Sequence, residues 1–263
     1  MAGLNLGSSF CGGILICPSH VLTAGHCLNG KSQGSASTFT VRLNTLAYSG
    51  STAGIVIRGV KKFIVHPNYN NSTYENDLTL LVLNQTVTNV STIPLPLPAT
   101  AATTKKPATT TKKPATTKKP ATTKKPVTTK KPKVANRKTS QEPAVRDLSS
   151  YAKMNAVIAG WGTAFSGGSV SQKLLKANVT IQDNSVCTSQ YGSGFNGKAM
   201  LCASAPGKGP CRGDDGGPII VRGVLVGVTI GSYGCADPKY AEVYVRISAY
   251  VNWIKTMMTN NPG

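Results

Sequence analysis

Three acid–base residues stand in short motifs that are far apart in the sequence. His26 lies in TAGHC, Asp77 lies in ENDLTLL, and Asp215 lies in the glycine-rich run CRGDDGGP. An imidazole can accept and return a proton near neutral pH, and a carboxylate beside it can fix its tautomer. Backbone N–H groups of a tight loop can stabilise a developing oxyanion. Brought together, these groups suit acyl transfer at a carbonyl carbon.

The chemistry-bearing motifs occur in one order along the chain. They are CGGILICPSHVLTAGHC at 11–27, ENDLTLL at 75–81, GWGT at 160–163 and CRGDDGGP at 211–218. In these motifs and in its cysteine positions, the chain resembles the trypsin and chymotrypsin family of serine proteases on both sides of a low-complexity segment. One motif alone is weak evidence, but order, spacing and cysteines together argue against chance.

The resemblance implies a role for each acid–base residue. His26 matches the family's general base, Asp77 matches the aspartate that orients it, and the amides of Gly213 and Asp215 match the oxyanion hole. Asp215 also stands where the family has its nucleophilic serine. A carboxylate has no proton to give to His26 at neutral pH, and its attack on an amide would form a mixed anhydride. We therefore expect no peptidase activity.

The specificity pocket implied by the resemblance also departs from trypsin. Gly209 occupies the place of the acidic pocket floor, and Glu242 falls where a glycine of the pocket wall is usual. Thr229, Ile230 and Gly231 match the strand that pairs with the substrate backbone. One alternative is that Glu242 enters the pocket, where its side chain either blocks the pocket or offers a carboxylate to a basic side chain. The other alternative is that Glu242 is a solvated loop carboxylate. We expect the cleft to bind peptides although it no longer cleaves them.

Asp214 matches the aspartate that receives a freed N-terminal Ile or Val when family members are activated. The chain starts at Met1, shortly before Cys11, without an Ile-Val-Gly-Gly start. By this comparison the first strand is missing, so we expect an incomplete first barrel and no ammonium partner for Asp214. The first residues also lack a signal-peptide pattern, which predicts a truncated N-terminus.

Seven cysteines at long spacings, without a Cys-x-x-Cys pair, are typical of a disulfide framework. The resemblance pairs Cys11 with Cys27, Cys187 with Cys202, and Cys211 with Cys235. Cys17 is left over as a quiet buried thiol, a partner for another chain, or the mate of a cysteine in missing N-terminal sequence. No motif predicts a cofactor or a metal site.

Short β-type runs must position these residues. They include GILI, FTVRL, GIVIRGV and LTLLVL in the N-terminal part, and MNAVIAGW, KANVTI, GPIIV, GVLVGVTI and AEVYVRI in the C-terminal part. The last stretch changes to helical spacing, with an apolar face from Tyr250 to Met258. Together with the resemblance, this predicts an all-β fold of two six-stranded Greek-key barrels with a C-terminal helix.

A low-complexity segment divides the chain. KKP recurs at 105, 112, 118, 124 and 130, and residues 99–138 hold 13 basic residues and no acid. We predict an N-terminal barrel half at 1–98, a Thr/Lys/Pro-rich disordered insert at 99–148, and a C-terminal barrel half at 149–263. The lysines of the insert form either a soluble spacer or a tether to anionic glycans.

Composition narrows the compartment and the class of partner. The net charge of +20 belongs largely to the insert, so we expect no specific nucleic-acid partner. No apolar run is long enough to cross a membrane. The cysteines and five N-glycosylation sequons, at Asn70, Asn71, Asn84, Asn89 and Asn178, predict a secreted glycoprotein.

Three functions remain open from the sequence. The first is a secreted protease homologue that binds a protein or peptide ligand as a cofactor, decoy or competitor in extracellular proteolysis. The second is an active serine endopeptidase, which requires that Asp215 is an error or that another nucleophile serves. The third is a scaffold that binds glycans or mucins.

Overall fold

Strands close two barrels in the computed structural model of the chain, which describes residues 1–99, 151–231 and 233–263. The first barrel has the closed order β1-β2-β3-β6-β5-β4. Its strands are β1 Ala2–Asn5, β2 Phe10–Cys17, β3 His20–Thr23, β4 Thr40–Leu43, β5 Val56–Val65 and β6 Thr79–Leu83. Every residue of β3 and of β6 is buried, which makes these two strands the rigid centre of the barrel.

The expectation of an incomplete first barrel is wrong, because β1 closes it. This strand pairs with β2, where Leu4 lies opposite Cys11, and with β4, where Leu4 lies opposite Val41. Ala2 and Leu4 are fully buried. The strand escaped the sequence analysis because it is four residues long and includes a glycine, Gly3, which weakens any β-type pattern.

The second barrel is also closed, in the order β10-β11-β12-β9-β8-β7. Its strands are β7 Asn155–Gly160, β8 Leu175–Ile181, β9 Met200–Ser204, β10 Pro218–Val221, β11 Val224–Gly231 and β12 Glu242–Arg246. A short helix, α1, spans Asn184–Tyr191, and the C-terminal helix, α2, spans Val251–Asn260. The predicted architecture of two six-stranded barrels followed by a helix is confirmed.

The apolar face of α2 packs into the core, as its helical spacing predicts. Val251 and Ile254 are fully buried, and Trp253, Met257 and Met258 pack against the same core cluster. The α2 helix spans only ten residues, and no helix in the described ranges is long and apolar enough to cross a bilayer. The predicted insert lies outside the described residues, except for Ala99.

Three disulfides are present, with the pairing that the resemblance implied. They join Cys11 to Cys27, Cys187 to Cys202, and Cys211 to Cys235. The first lies within the N-terminal barrel and the other two lie within the C-terminal part. Contacts between the two barrels are therefore noncovalent, and one of them is the hydrogen bond of 3.0 Å from Trp161 Nε1 to the carbonyl oxygen of Leu46.

Candidate active site

His26 and Asp77 meet at the top of two adjacent strands of the first barrel. His26 begins a short 3₁₀ turn after β3, and Asp77 lies two residues before β6. The two strands pair directly, so their ends hold these side chains side by side. Nδ1 of His26 lies 2.7 Å from Oδ2 of Asp77, and the backbone N–H of His26 donates to Oδ1 at 2.6 Å. Asp77 is fully buried.

The close approach of these residues depends on Gly25. A side chain at position 25 would begin 2.9 Å from Oδ1 of Asp77, closer than real Cβ contacts. The carboxylate occupies that space and accepts hydrogen bonds from the backbone and the ring of His26. Because Nδ1 is committed to Asp77, the Nε2 atom is the one left to exchange protons with other groups.

Asp215 reaches this histidine from a loop of the second barrel. The loop precedes β10, and the carbonyl oxygen of Asp215 accepts a hydrogen bond of 2.7 Å from the N–H of Gly12 in β2. Gly216 follows with φ +77°, and a side chain there would collide with Thr23 and with the carbonyl oxygen of Gly12. Only glycine therefore allows the loop to sit this close to the first barrel.

The carboxylate of Asp215 lies beside the base and beside the amides assigned to the oxyanion hole. Its Oδ1 is 3.9 Å from Nε2 of His26, and its side chain is 32% exposed. Burial raises the pKa of Asp215, while His26 and the backbone amides of Asp215 and Gly213 lower it, and the net direction is upward. The group that faces His26 is thus an acidic side chain in a partly desolvated position.

Two of the residues assigned to the specificity pocket lie beside Asp215. Thr229 and Gly231 line a cavity of about 310 Å³ together with Asp215. Glu242 is 1% exposed and its Oε1 accepts a hydrogen bond of 3.1 Å from the N–H of Ala236. The same Oε1 lies 2.6 Å from the point where a side chain of Gly209 would begin. Glu242 is therefore buried against Gly209 and Ala236 and is not a solvated loop carboxylate.

The comparisons with known proteins agree with this arrangement. The trypsin family model matches residues 1–145 and 127–254. The chain belongs to the trypsin family. It is 34% identical to Trypsin Blo t 3 of Blomia tropicalis over 254 residues, which cover 94% of this chain and 77% of that protein. It is 30% identical to Trypsin of Xenopus laevis over 264 residues, or 98% of this chain and 84% of that protein.

Asp214, at the activation position of the trypsin family, is held by backbone groups. Gly162 N–H donates to Oδ1 at 2.7 Å, and Cys211 N–H donates to Oδ2 at 3.0 Å. Burial raises the pKa of Asp214, the two amides lower it, and the net direction is upward. Within the described residues Asp214 takes part in no ion pair. Its role in activation stays a prediction.

Tyrosines beside the trypsin-family cleft were missed by the sequence analysis. The ring of Tyr74 meets that of His26 edge-on, with 5.9 Å between the centroids. Tyr74, Tyr191 and Tyr233 line a cavity of about 470 Å³ that also includes Ile230. Tyr191 ends α1, whereas Tyr74 and Tyr233 lie in two separate loops, and the three follow no periodic pattern, so only their meeting in the fold identifies them.

The first prediction concerns the charge on His26. Burial alone would lower its pKa, but the hydrogen bond and charge of Asp77 and the charge of Asp215 outweigh burial and raise it. Replacing Asp215→Asn removes one of these charges, so the pKa of His26 measured by NMR titration of its ring protons should fall. A matched Asp183→Asn variant, changed at a distant carboxylate, should leave the measured pKa of His26 unchanged.

The same shift predicts the direction of a pH effect on stability. A pKa raised above the unfolded value of about 6.5 means that protonated His26 stabilises the fold fully below that pH. This contribution is lost as the pH rises through the folded pKa. In Asp215→Asn this contribution should be smaller and its loss should be complete at a lower pH, which denaturant titrations at a series of pH values can measure. An unchanged profile and an unchanged NMR titration would contradict the assigned coupling.

Proposed function

We propose that this chain is a secreted trypsin-family protein that binds protein or peptide ligands in its former substrate cleft and does not cleave them. The observation that carries the proposal is Asp215, which faces Nε2 of His26 at 3.9 Å in the position of the family's serine. A carboxylate there supplies no hydroxyl for acyl transfer, and its charge occupies the surroundings where an oxyanion would develop. Cofactor, decoy or competitor in extracellular proteolysis are roles that binding alone can perform.

The rival function is an active endopeptidase. Its support is that the relatives described above are named trypsins and share the fold. It requires a nucleophile other than Asp215 within reach of His26. Labelling with a fluorophosphonate probe separates the two functions, because the probe detects a reactive hydroxyl directly.

The proposal that the protein is secreted rests on its disulfides and its N-glycosylation sequons. Three disulfides are difficult to maintain in a reducing cytosol and are ordinary in secreted proteins of this size. The five sequons are consistent with passage through the secretory pathway. Extracellular proteolysis is therefore the setting in which we place the ligand.

The second prediction tests whether the pocket recognises a basic side chain. Glu242 places a carboxylate against Gly209, which the resemblance assigns to the pocket floor, so a peptide with a lysine should bind more tightly than the same peptide with glutamine. Glu242→Gln removes the negative charge at nearly constant volume and should weaken binding of the lysine peptide by about tenfold, or about 1.4 kcal/mol. Isothermal titration calorimetry measures both affinities.

The matched control is Asp183→Asn, because Asp183 is an exposed carboxylate that pairs with Lys153 at 3.8 Å. We expect this variant to bind like the parent. If neither peptide binds the parent, ligand capture in the cleft is wrong. If Glu242→Gln leaves the preference for lysine intact, another group reads the basic side chain.

The third prediction concerns anionic glycans, for which the specific observation is the density of lysines in the insert. Eleven lysines lie between Lys105 and Lys133. Attraction through summed charge is screened within about 8 Å at physiological salt, so retention on a heparin column should weaken steeply with salt. Changing these lysines to glutamine should lower the eluting salt concentration sharply, whereas His26→Ala should not. Elution of the glutamine variant with the parent would assign binding to the barrels.

A further inference from the structure

A nucleophile and a base also meet outside the cleft, at the hairpin between β2 and β3. Cys17 ends β2 and His20 begins β3, and the two residues pair across a two-residue turn. Sγ of Cys17 lies 3.1 Å from Nδ1 of His20. All the other cysteines of the chain are in disulfides, so Cys17 is its one free thiol. This pair lies at the start of β3, whereas His26 follows the end of that strand.

The hydrogen bond on the far side of the ring fixes which nitrogen can act as the base. Nε2 of His20 is 2.9 Å from the carbonyl oxygen of Asn261, which can only accept a proton. In the neutral ring Nε2 therefore carries the hydrogen, and Nδ1 presents its lone pair to the thiol at 3.1 Å and to the hydroxyl of Ser19 at 2.9 Å. His20 is 2% exposed, so bulk water does not compete for this orientation. Nucleophile, base and orienting group follow the logic of activated-nucleophile sites.

The hairpin that carries the pair is held in place on several sides. The N–H of Leu83 donates to the carbonyl oxygen of Ser19 at 2.9 Å, and the N–H of Val87 donates to that of Pro18 at 2.8 Å. The register of β2 on β3 shifts between Leu15 and Cys17, which marks a bulge next to the thiol. Bulges re-aim side chains, and this one lies where Cys17 turns to His20.

The electrostatic surroundings favour transfer of the thiol proton to the ring. Burial alone would raise the pKa of Cys17, but hydrogen bonds from His20 and Ser19 outweigh it and lower that pKa. Burial alone would lower the pKa of His20, but the contact with Cys17 and the bond to Asn261 raise it. The two shifts have opposite directions, which is the pattern of a thiolate beside an imidazolium.

We propose that Cys17 and His20 form a nucleophilic site outside the cleft, which exchanges with small disulfides of the oxidised-glutathione class and forms a mixed disulfide. His20 first accepts the proton of Cys17. The thiolate Sγ then attacks one sulfur of the external disulfide, so that an Sγ–S bond forms and the external S–S bond breaks. The released thiolate takes up the proton that His20 holds. Cys17 is oxidised and one external sulfur is reduced, and no further oxidant is needed.

The setting of Cys17 favours a small disulfide over a disulfide of a folded protein. The cysteine is only half-buried, but Gly263 packs against the Ser19 side chain, and Asn261 covers the ring of His20. Lys62 in β5 donates to Oδ1 of Asn261 at 2.6 Å and holds that cover in place. A flexible tripeptide disulfide can approach an edge of this kind, whereas a folded partner would first have to displace the C-terminal residues.

The test is the rate of mixed-disulfide formation in the full-length protein. With oxidised glutathione at pH 6, mass spectrometry should detect one adduct on the parent and none on Cys17→Ala. His20→Gln removes the base at similar size, and its rate at pH 6 should be about tenfold lower than the parent rate. Circular dichroism and the thermal midpoint verify that this variant is folded. Equal rates in the folded His20→Gln variant and the parent overturn the proposal.

A measurement on the parent keeps the proposal testable even if His20→Gln does not fold. An ordinary thiol with a pKa of about 8.5 loses roughly 80-fold in its alkylation rate between pH 8 and pH 6, because its thiolate disappears. Alkylation of Cys17 by iodoacetamide should lose less than about tenfold over the same range. This ratio does not depend on accessibility. The groups that face the thiol are His20 from β3 and Ser19 from the turn, with Lys62 acting through Asn261. An 80-fold loss overturns the proposal.

Discussion

We expect purified protein incubated with a fluorophosphonate probe to remain unlabelled and to hydrolyse a peptide ester no faster than the uncatalysed control. The probe forms a covalent bond only with an activated hydroxyl, and the group beside His26 is the carboxylate of Asp215. Loss of a triad nucleophile costs on the order of 10⁶ in turnover in the best-studied case. In-gel fluorescence and a spectrophotometric ester assay measure the two outcomes.

The Asp215→Ser variant is the matched control, since it places a hydroxyl on the same loop beside an otherwise unchanged base. We expect it to be labelled, and we expect the label to disappear when His26→Ala is added. Labelling should be slow, because among the described residues the carboxylate of Asp214 is held by the amides of Gly162 and Cys211 and not by an ammonium group. Stoichiometric labelling of the parent that His26→Ala abolishes would establish an active endopeptidase and end the binding-only proposal.

Removing the disulfide between Cys11 and Cys27 should produce a large loss of stability. The bridge closes a loop with a sequence separation of 16, which the chain-entropy model values at about 3 kcal/mol. In a protein of this size that corresponds to a fall of roughly 6 to 12 °C in the thermal midpoint. Scanning calorimetry of the double variant Cys11→Ala/Cys27→Ala measures it.

The effect should extend to the candidate site. Cys11 precedes Gly12, whose N–H holds the carbonyl oxygen of Asp215, and Cys27 directly follows His26. Cys17→Ala is the control, because it removes a cysteine without opening a disulfide, and its midpoint should stay close to that of the parent. A shift below about 2 °C in the double variant would show that the packed strands alone hold this segment.

Much of the fold could be predicted because the chemistry-bearing motifs lie directly beside strands that the sequence pattern identifies. The β-type runs next to His26, Asp77 and Asp215 are long and strongly apolar. The apolar residues of α2, which include Ile254, have clear helical spacing. Such patterns reflect burial, which is the dominant contribution to folding.

Other elements gave no such signal for physical reasons. The β1 strand is short and carries Gly3, and α1 is polar along most of its length, with Cys187 as its buried residue. The position of Glu242 was left open, because whether a carboxylate points inward depends on the backbone of Ala236 and the absence of a side chain at Gly209. The contact between Cys17 and His20 depends on a β-bulge in the pairing of β2 with β3, which cannot be predicted from the amino-acid composition.

The distribution of the disulfides has a consequence for a chain that is cut between its halves. No disulfide joins the barrel that contains Cys11 to the one that contains Cys211, and all seven cysteines of the chain are accounted for. After proteolytic nicking within the insert, the two fragments would remain associated in native buffer through contacts such as Trp161 with Leu46. In a denaturing gel they would migrate as separate bands even without a reducing agent. A nicked sample and an intact sample could then be told apart without any activity assay.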